Sequence, residues 1–157
     1  MTDQAHRPRY DALTVGDRVV ARQFTIRRAD LIRYAGVSGD ENPIHWSDRI
    51  ARAVGLPGVI AHGMLTMALA GRAVTEWADD PGAVEEFAVR FTQPVVVPDD
   101  DGGVTLDVEA TVAEKLPAPR VRLDLTVRCE GEKVLGAARA VVRLGPPTTF
   151  DAVVSDH

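Results

Sequence analysis

Val104-Thr105-Leu106-Asp107-Val108-Glu109-Ala110-Thr111-Val112 alternates apolar and polar residues without a break. Successive side chains of a pleated strand point to opposite faces, so this stretch is written with one face to bury and one to wet. Val121, Leu123, Leu125, Val127 and Cys129 repeat the pattern against Arg120, Arg122, Asp124, Thr126 and Arg128. Strands polar on one side belong to antiparallel sheets, and Leu116-Pro117-Ala118-Pro119 and Glu130-Gly131-Glu132 supply the turns between them. Outward from this pair, residues 133–144 form a further strand. Residues 84–92 form another, with Phe87, Val89 and Phe91 on one face, and 18–26 one more. Asp99-Asp100-Asp101-Gly102-Gly103 reads as a solvated hairpin loop.

The first half of the chain has helical character. Residues 27–35 form a short helix stopped by Gly36, and Ser47 caps a second over 48–54 that Gly55 ends. Residues 63–78 are apolar almost all round, with Arg72 and Glu76 as the principal charges, and a helix of that kind is expected to be buried. One long buried helix against at least five antiparallel strands is an α+β architecture, a sheet curled around a central helix.

A chain of 157 residues, 45% hydrophobic and 26% charged, has the composition of one ordinary globular domain, expected over residues 10–145 between polar tails at 1–9 and 146–157. A net charge of −5 argues against nucleic acid as the principal partner. The single cysteine, Cys129, excludes an internal disulfide, and its place on the apolar face of a strand makes it a core residue. No apolar leader opens the chain and no window has the length of a membrane span, so a cytoplasmic protein is expected.

The chemistry concentrates in Gly36-Val37-Ser38-Gly39-Asp40-Glu41-Asn42-Pro43-Ile44-His45. Gly39 permits backbone conformations closed to other residues, while Pro43 fixes its own φ and pushes Asn42 out of the helical region. Irregular, rigid backbone of this sort can aim Asp40 and His45 at one small volume, an acid/base pair able to work near neutral pH. The plainer reading of the same residues is an Asx-turn and a helix cap. Val59-Ile60-Ala61-His62-Gly63-Met64 leads into the long helix, whose first amides and positive dipole end suit a developing oxyanion. Acid/base groups beside such a helix start suit proton transfer α to a thioester or similar carbonyl.

Tyr34–His45, with Gly-Asp-x-Asn-Pro-x-His at its centre, resembles the signature of MaoC-like hotdog-fold dehydratases and (R)-specific enoyl-thioester hydratases. Ile60-Ala61-His62-Gly63-Met64 is similar to their second block, at the start of the hotdog helix. The likeness extends over about 13–144. It is strongest to the catalytic subunit of mycolic-acid-type (3R)-hydroxyacyl-carrier-protein dehydratases, through Ile44-His45-Trp46-Ser47-Asp48, 61–67 and 80–84. The resemblance implies a hotdog fold and reversible dehydration of (3R)-hydroxyacyl thioesters to trans-2-enoyl thioesters. It assigns Asp40 and His45 as the catalytic dyad, Asn42 to ordering the turn and contacting the reacting oxygen, and the Gly63 amide to the oxyanion hole. Many family members carry Ser in place of His62, so His62 is expected to line the site. The resemblance implies no metal or organic cofactor, an acyl-ACP or acyl-CoA substrate, and a hotdog dimer with one continuous sheet. The partner would be a second copy or a non-catalytic hotdog subunit.

Three rival readings attach to the same residues. Asp40, His45 and His62 offer three ligands for zinc, in no recognised ligand spacing. Hotdog thioesterases share the fold but lack the Gly-Asp-x-Asn-Pro-x-His run. A non-catalytic acyl-binding subunit is disfavoured by the intact dyad. Arg120, Arg122, Arg128, Arg139 and Arg143 lie on outward strand faces, where a solvated surface is the plainer account than a phosphate site.

Overall fold

The structure, a computed structural model, describes residues 7–145. The expected tails at 1–6 and 146–157 lie outside the described residues, while Arg7 pairs with Asp79 at 3.6 Å. Among the described residues, five antiparallel strands form one sheet: β1 (Arg18–Ile26), β2 (Val84–Phe91), β3 (Val104–Lys115), β4 (Arg120–Cys129) and β5 (Glu132–Arg143). Their order across the sheet is β1-β3-β4-β5-β2. The alternation in β3 and β4 holds residue by residue, with Val104, Leu106, Val108, Ala110 and Val112 buried and Val108 paired with Val127. Glu130 and Gly131, at φ 51° and 84°, make the tight β4–β5 turn.

Helices α1 (Arg28–Ser38), α2 (Asp48–Ala53) and α3 (Gly63–Ala78) all lie between β1 and β2 in the chain. α3 packs on the sheet through Thr66, Ala70, Ala73, Val74 and Ala78, small side chains that let the helix approach closely. The fold is α+β, a sheet with one long helix against it, as expected.

Four particulars depart from the expectation. Gly36 does not stop α1, which continues to Ser38 and ends at Gly39, at φ 74° with its amide bonded to the Ala35 carbonyl. Glycine weakens a helix by only about 1 kcal/mol relative to alanine, so one residue inside it is tolerated, whereas a left-handed stop favours it strongly. Residues 99–102 are exposed but their loop closes no hairpin, because β2 pairs with β5 at one edge while β3 pairs with β1 and β4. The Gly103 amide instead bonds Asp100, and a Cβ there would clash with the Ile26 carbonyl oxygen. Phe91, expected on the face of Phe87 and Val89, is 51% exposed at the end of β2, past a β2–β5 register shift between Ala88 and Arg90. Finally, α3 is buried along one stripe only: Ala68 is exposed and Met64 is 56% exposed, since five strands cover one side of the helix.

Candidate active site

The left-handed turn at Gly39 throws the chain off α1 into a compact loop held by its own side chains. Ser38 Oγ accepts the Asp40 amide, Asp40 Oδ1 accepts the Asn42 amide, and Asn42 Oδ1 accepts the Ile44 amide, each at 3.2 Å. Asn42 thereby caps a 3-10 turn over Pro43–His45, and Trp46 Nε1 donates to the Glu41 carbonyl at 3.0 Å. The Asx-turn and cap readings are therefore correct descriptions of the backbone, and they carry the acid/base pair into place.

His45 is 7% exposed, and its Nδ1 stands 2.7 Å from the Ile60 carbonyl. A carbonyl can only accept, so Nδ1 carries the proton and the neutral ring keeps its lone pair on Nε2. That Nε2 faces Asp40 Oδ2 at 3.7 Å, beyond a direct hydrogen bond. The Asp40 side chain is 53% exposed, so base and carboxylate address one small, accessible volume.

His62 lies behind the pair, not at its surface. It is 2% exposed, stacks on His45 with ring centroids 3.8 Å apart, and stands at Nε2 3.0 Å from the Asp40 carbonyl. The carbonyl fixes the His62 proton on Nε2, which leaves Nδ1 as a buried acceptor without a hydrogen-bond partner among the described residues. Tyr34 closes the other side of His62, with ring centroids 4.8 Å apart. Asp40, His45 and His62 present ligand atoms within 4.8 Å of one another. The two rings lie only 22° from parallel, so their in-plane lone pairs do not converge on one ion at bonding distance, and the cluster suits acid/base work better than metal ligation.

Gly63 begins α3 immediately after His62. The amides of Leu65 and Thr66 bond back to the His62 carbonyl, so Gly63 and Met64 provide the open N–H groups of this helix start. The space left by the absent Gly63 Cβ is taken by the Phe91 ring, whose nearest atom would be 3.1 Å away. Two concavities adjoin the site. A groove of about 410 Å³ is lined by Phe24, Tyr34, Val37 and Leu65 together with the charged Asp30, Arg33 and Arg72 among others, and a smaller one of about 250 Å³ by Ile60, Gly63, Thr66, Phe91 and Leu135 among others.

The structure thus brings together all five residues singled out from sequence: Asp40, Asn42, His45, His62 and Gly63. Tyr34, Phe91 and the Ile60 carbonyl are not among the site residues expected from sequence. A backbone carbonyl leaves no trace in residue identity, Tyr34 opens the quoted motif but its contact with His62 reaches across to the second block, and Phe91 comes from a strand far along the chain. Another feature not expected from sequence is the Arg28–Asp48 pair at 3.0 Å, beneath the loop. Arg28, together with the Val59 amide, holds the Asp48 carboxyl below the ordinary carboxylate range. The outward arginines are largely engaged by neighbours, Arg122 with Glu114 and Arg143 with Glu85, as a solvated face requires.

An Asp/His pair on a capped loop, with the open start of α3 following the His62 that stacks on His45, can in chemical terms move a proton beside an activated carbonyl. The sequence matches the MaoC like domain over residues 12–127, and the chain belongs to that family. It is 31% identical to a 3-hydroxybutyryl-CoA dehydratase from Methylorubrum extorquens, over 76% of this chain and 73% of that one. It is 44% identical to the 3-hydroxyacyl-thioester dehydratase X of Mycobacterium tuberculosis, over 50% of this chain and 27% of that protein. Among solved structures, a MaoC-like dehydratase superposes with a TM-score of 0.85 at 38% identity, covering 88% of this chain and 43% of that one. The (R)-hydratase PhaJ1 from Pseudomonas aeruginosa superposes at 0.74 with 35% identity, covering 88% and 86%. The chain therefore spans about a quarter of the M. tuberculosis relative and under half of the MaoC-like dehydratase structure, but most of the other two.

Proposed function

We propose that this protein is a hydro-lyase of the cytoplasm that interconverts (3R)-hydroxyacyl and trans-2-enoyl thioesters in fatty-acid or mycolic-acid-type chain elongation. Its working unit is the hotdog domain at 10–145. The observation that carries this reading is the 2.7 Å contact of His45 Nδ1 with the Ile60 carbonyl: the carbonyl accepts the Nδ1 proton, which turns Nε2, the acceptor of a neutral ring, toward the Asp40 carboxyl.

In the dehydration direction, His45 Nε2 takes the proton from C2 while the Gly63 amide stabilises negative charge on the thioester oxygen. The C2–H electron pair forms the C2=C3 bond as the C3–O bond breaks. The departing hydroxyl receives a proton at the Asp40–His45 pair and leaves as water. Hydration runs the same path backwards, with Asp40 and His45 aligning and deprotonating the attacking water. Asn42 orders the loop through Ile44 and stands near the reacting oxygen. The thioester carbonyl is the electron sink, so the scheme uses no metal or organic cofactor. The carrier is ACP or CoA, and the protein acts as a hotdog dimer, with a second copy or with a non-catalytic hotdog subunit. The end-to-end match to PhaJ1, with 86% of that chain covered, supports a second setting for the same chemistry: an (R)-specific enoyl-CoA hydratase working as a homodimer.

The test is hydration of short and long trans-2-enoyl thioesters, followed by loss of the conjugated absorbance, in wild type, Asp40→Asn and His45→Ala. Each variant should fold as wild type and lose about 10²- to 10⁴-fold in kcat. Activity that survives both substitutions would overturn the assignment. Inactivity of wild type even when co-expressed with a hotdog partner would favour a binding subunit.

A further inference from the structure

Arg28 and Asp48 take no part in the reaction scheme, yet their hydrogen bonds to backbone reach the two paired segments behind His45. Arg28 opens α1 and Asp48 opens α2. One guanidinium nitrogen of Arg28 donates to both oxygens of Asp48, at 3.0 and 3.1 Å. Its Nε reaches the Val97 carbonyl at 2.6 Å. Asp48 Oδ1 also accepts the Val59 amide at 3.1 Å, and it sits close to Gly58, where a Cβ would make a tight 3.2 Å contact with that oxygen.

Val59 opens a three-residue strip, Val59-Ile60-Ala61, and Val97 lies on the segment paired with it. On one side it pairs with 95–97, the Val97 amide bonding the Val59 carbonyl at 2.9 Å and the Ala61 amide the Val95 carbonyl at 2.8 Å. On the other, the Ile60 amide meets the Ile44 carbonyl at 3.2 Å and the Ile60 carbonyl meets His45 Nδ1 at 2.7 Å. The strip ends at His62 and Gly63. An isolated strip of that length has no sheet to fix its register. The Arg28–Asp48 pair holds one end from both sides, Asp48 on Val59 and Arg28 on Val97. Arginine suits the task because its planar fork reaches a carbonyl and a carboxylate together, which a lysine ammonium on one stem does not. Arg52, the other cation near Asp48, is 67% exposed and only within 4.0 Å.

We propose that Arg28 and Asp48 are positioning residues for catalysis: by fixing the Val59–Ala61 strip they aim the Ile60 carbonyl that sets the proton and orientation of His45. This rests on the dyad assigned above. A pair that served stability alone would leave kcat untouched at temperatures where the protein stays folded. A pair that aims His45 changes kcat and the imidazole together, because a small misplacement of a reacting group is expensive in rate.

The experiment uses the full chain and compares wild type with Arg28→Lys, Asp48→Asn and the double variant, below the unfolding temperature of each. Enoyl-thioester hydration gives kcat and KM, and nitrogen-15 imidazole spectra report the His45 Nδ1–H. Arg28→Lys is expected to lower kcat at least about tenfold with KM within about twofold, and to shift or broaden the Nδ1–H resonance. Asp48→Asn retains an acceptor for the Val59 amide and should show a smaller loss, so it also serves if Arg28→Lys folds poorly. The double variant should be little worse than the worse single, as for two parts of one device. Unchanged kcat and an unchanged Nδ1–H in folded variants would overturn the proposal. Should wild type prove inactive even with a hotdog partner, the dyad reading fails separately, and the imidazole spectra alone decide whether the pair sets His45.

Discussion

At the scale of single residues, His62 shows what a buried histidine contributes when it touches the reacting pair from behind. Its two contacts are separable: a ring face against His45 and an Nε2–H donated to the Asp40 carbonyl. His62→Phe keeps the stack and deletes the donor, while His62→Gln keeps a donor and deletes the ring. Loss of one hydrogen bond around a buried group destabilises by about 1–3 kcal/mol, so denaturant midpoints should fall in His62→Phe. If the Asp40 contact sets loop geometry, kcat should fall about tenfold in His62→Phe and less in His62→Gln. Equal activity in both variants and wild type would confine His62 to packing.

Asp48 supports a prediction about pH. Arg28 first, then the Val59 amide, holds its folded-state value below the unfolded one. A depressed carboxylate contributes stability that is present in full above the unfolded value, about 3.9, and is lost as pH falls through the lower folded value. Urea midpoints measured from about pH 6 down to pH 2.5 should therefore fall in wild type, and fall less steeply in Asp48→Asn, which has lost that contribution at every pH. Parallel curves would show that the pair contributes no acid-labile stability. The residues of this site were legible to different degrees for a physical reason. Asp40, Asn42 and His45 act through short-range backbone geometry written in neighbouring glycine and proline. His62 was found, but was expected to line the cavity, because burial depends on Tyr34 and on a loop from another part of the chain.

At the scale of elements, period-two alternation survived folding intact because β3 and β4 are central strands with neighbours on both sides. The edge strand β2 kept its place but not its simple alternation, since a bulge is set by its partner β5, where Ala137 takes φ 47°. Helix α1 supplies the clearest test of local rules. Gly36 is exposed within the helix, and a Cβ there would have no neighbour within 4 Å, so Gly36→Ala adds helix propensity without a clash. It should raise stability by about 0.5–1 kcal/mol. Gly39 also has open space around it, but its φ of 74° strains any residue with a Cβ, so Gly39→Ala should destabilise by about 1–2 kcal/mol. Thermal unfolding of the two variants should move in opposite directions. Movement in the same direction would mean that α1 does not end where its left-handed glycine places it.

At the scale of the whole molecule, the same helix that completes the core also leaves part of its apolar surface uncovered. β1 pairs only with β3 and β2 only with β5 among the described residues, so both outer strands have a free edge, and free edges are natural sites for pairing. At the β2 side, Phe91 is 51% exposed at the strand end and packs beside Gly63, while Met64, the next residue of α3, is 56% exposed. Apolar side chains flanking an acid/base site, next to an unpaired edge, are the surface that a second hotdog protomer would cover in the proposed dimer. This predicts that Met64→Lys with Phe91→Lys, which places charge at that surface while sparing the buried stripe of α3, shifts sedimentation from dimer to a folded monomer. Because the helix start lies under the same surface, enoyl-thioester hydration should fall with the dimer fraction and recover as protein concentration rises. A double variant that sediments as wild type would move the interface to the β1 edge, and one that is monomeric yet fully active would show that a single chain completes the site.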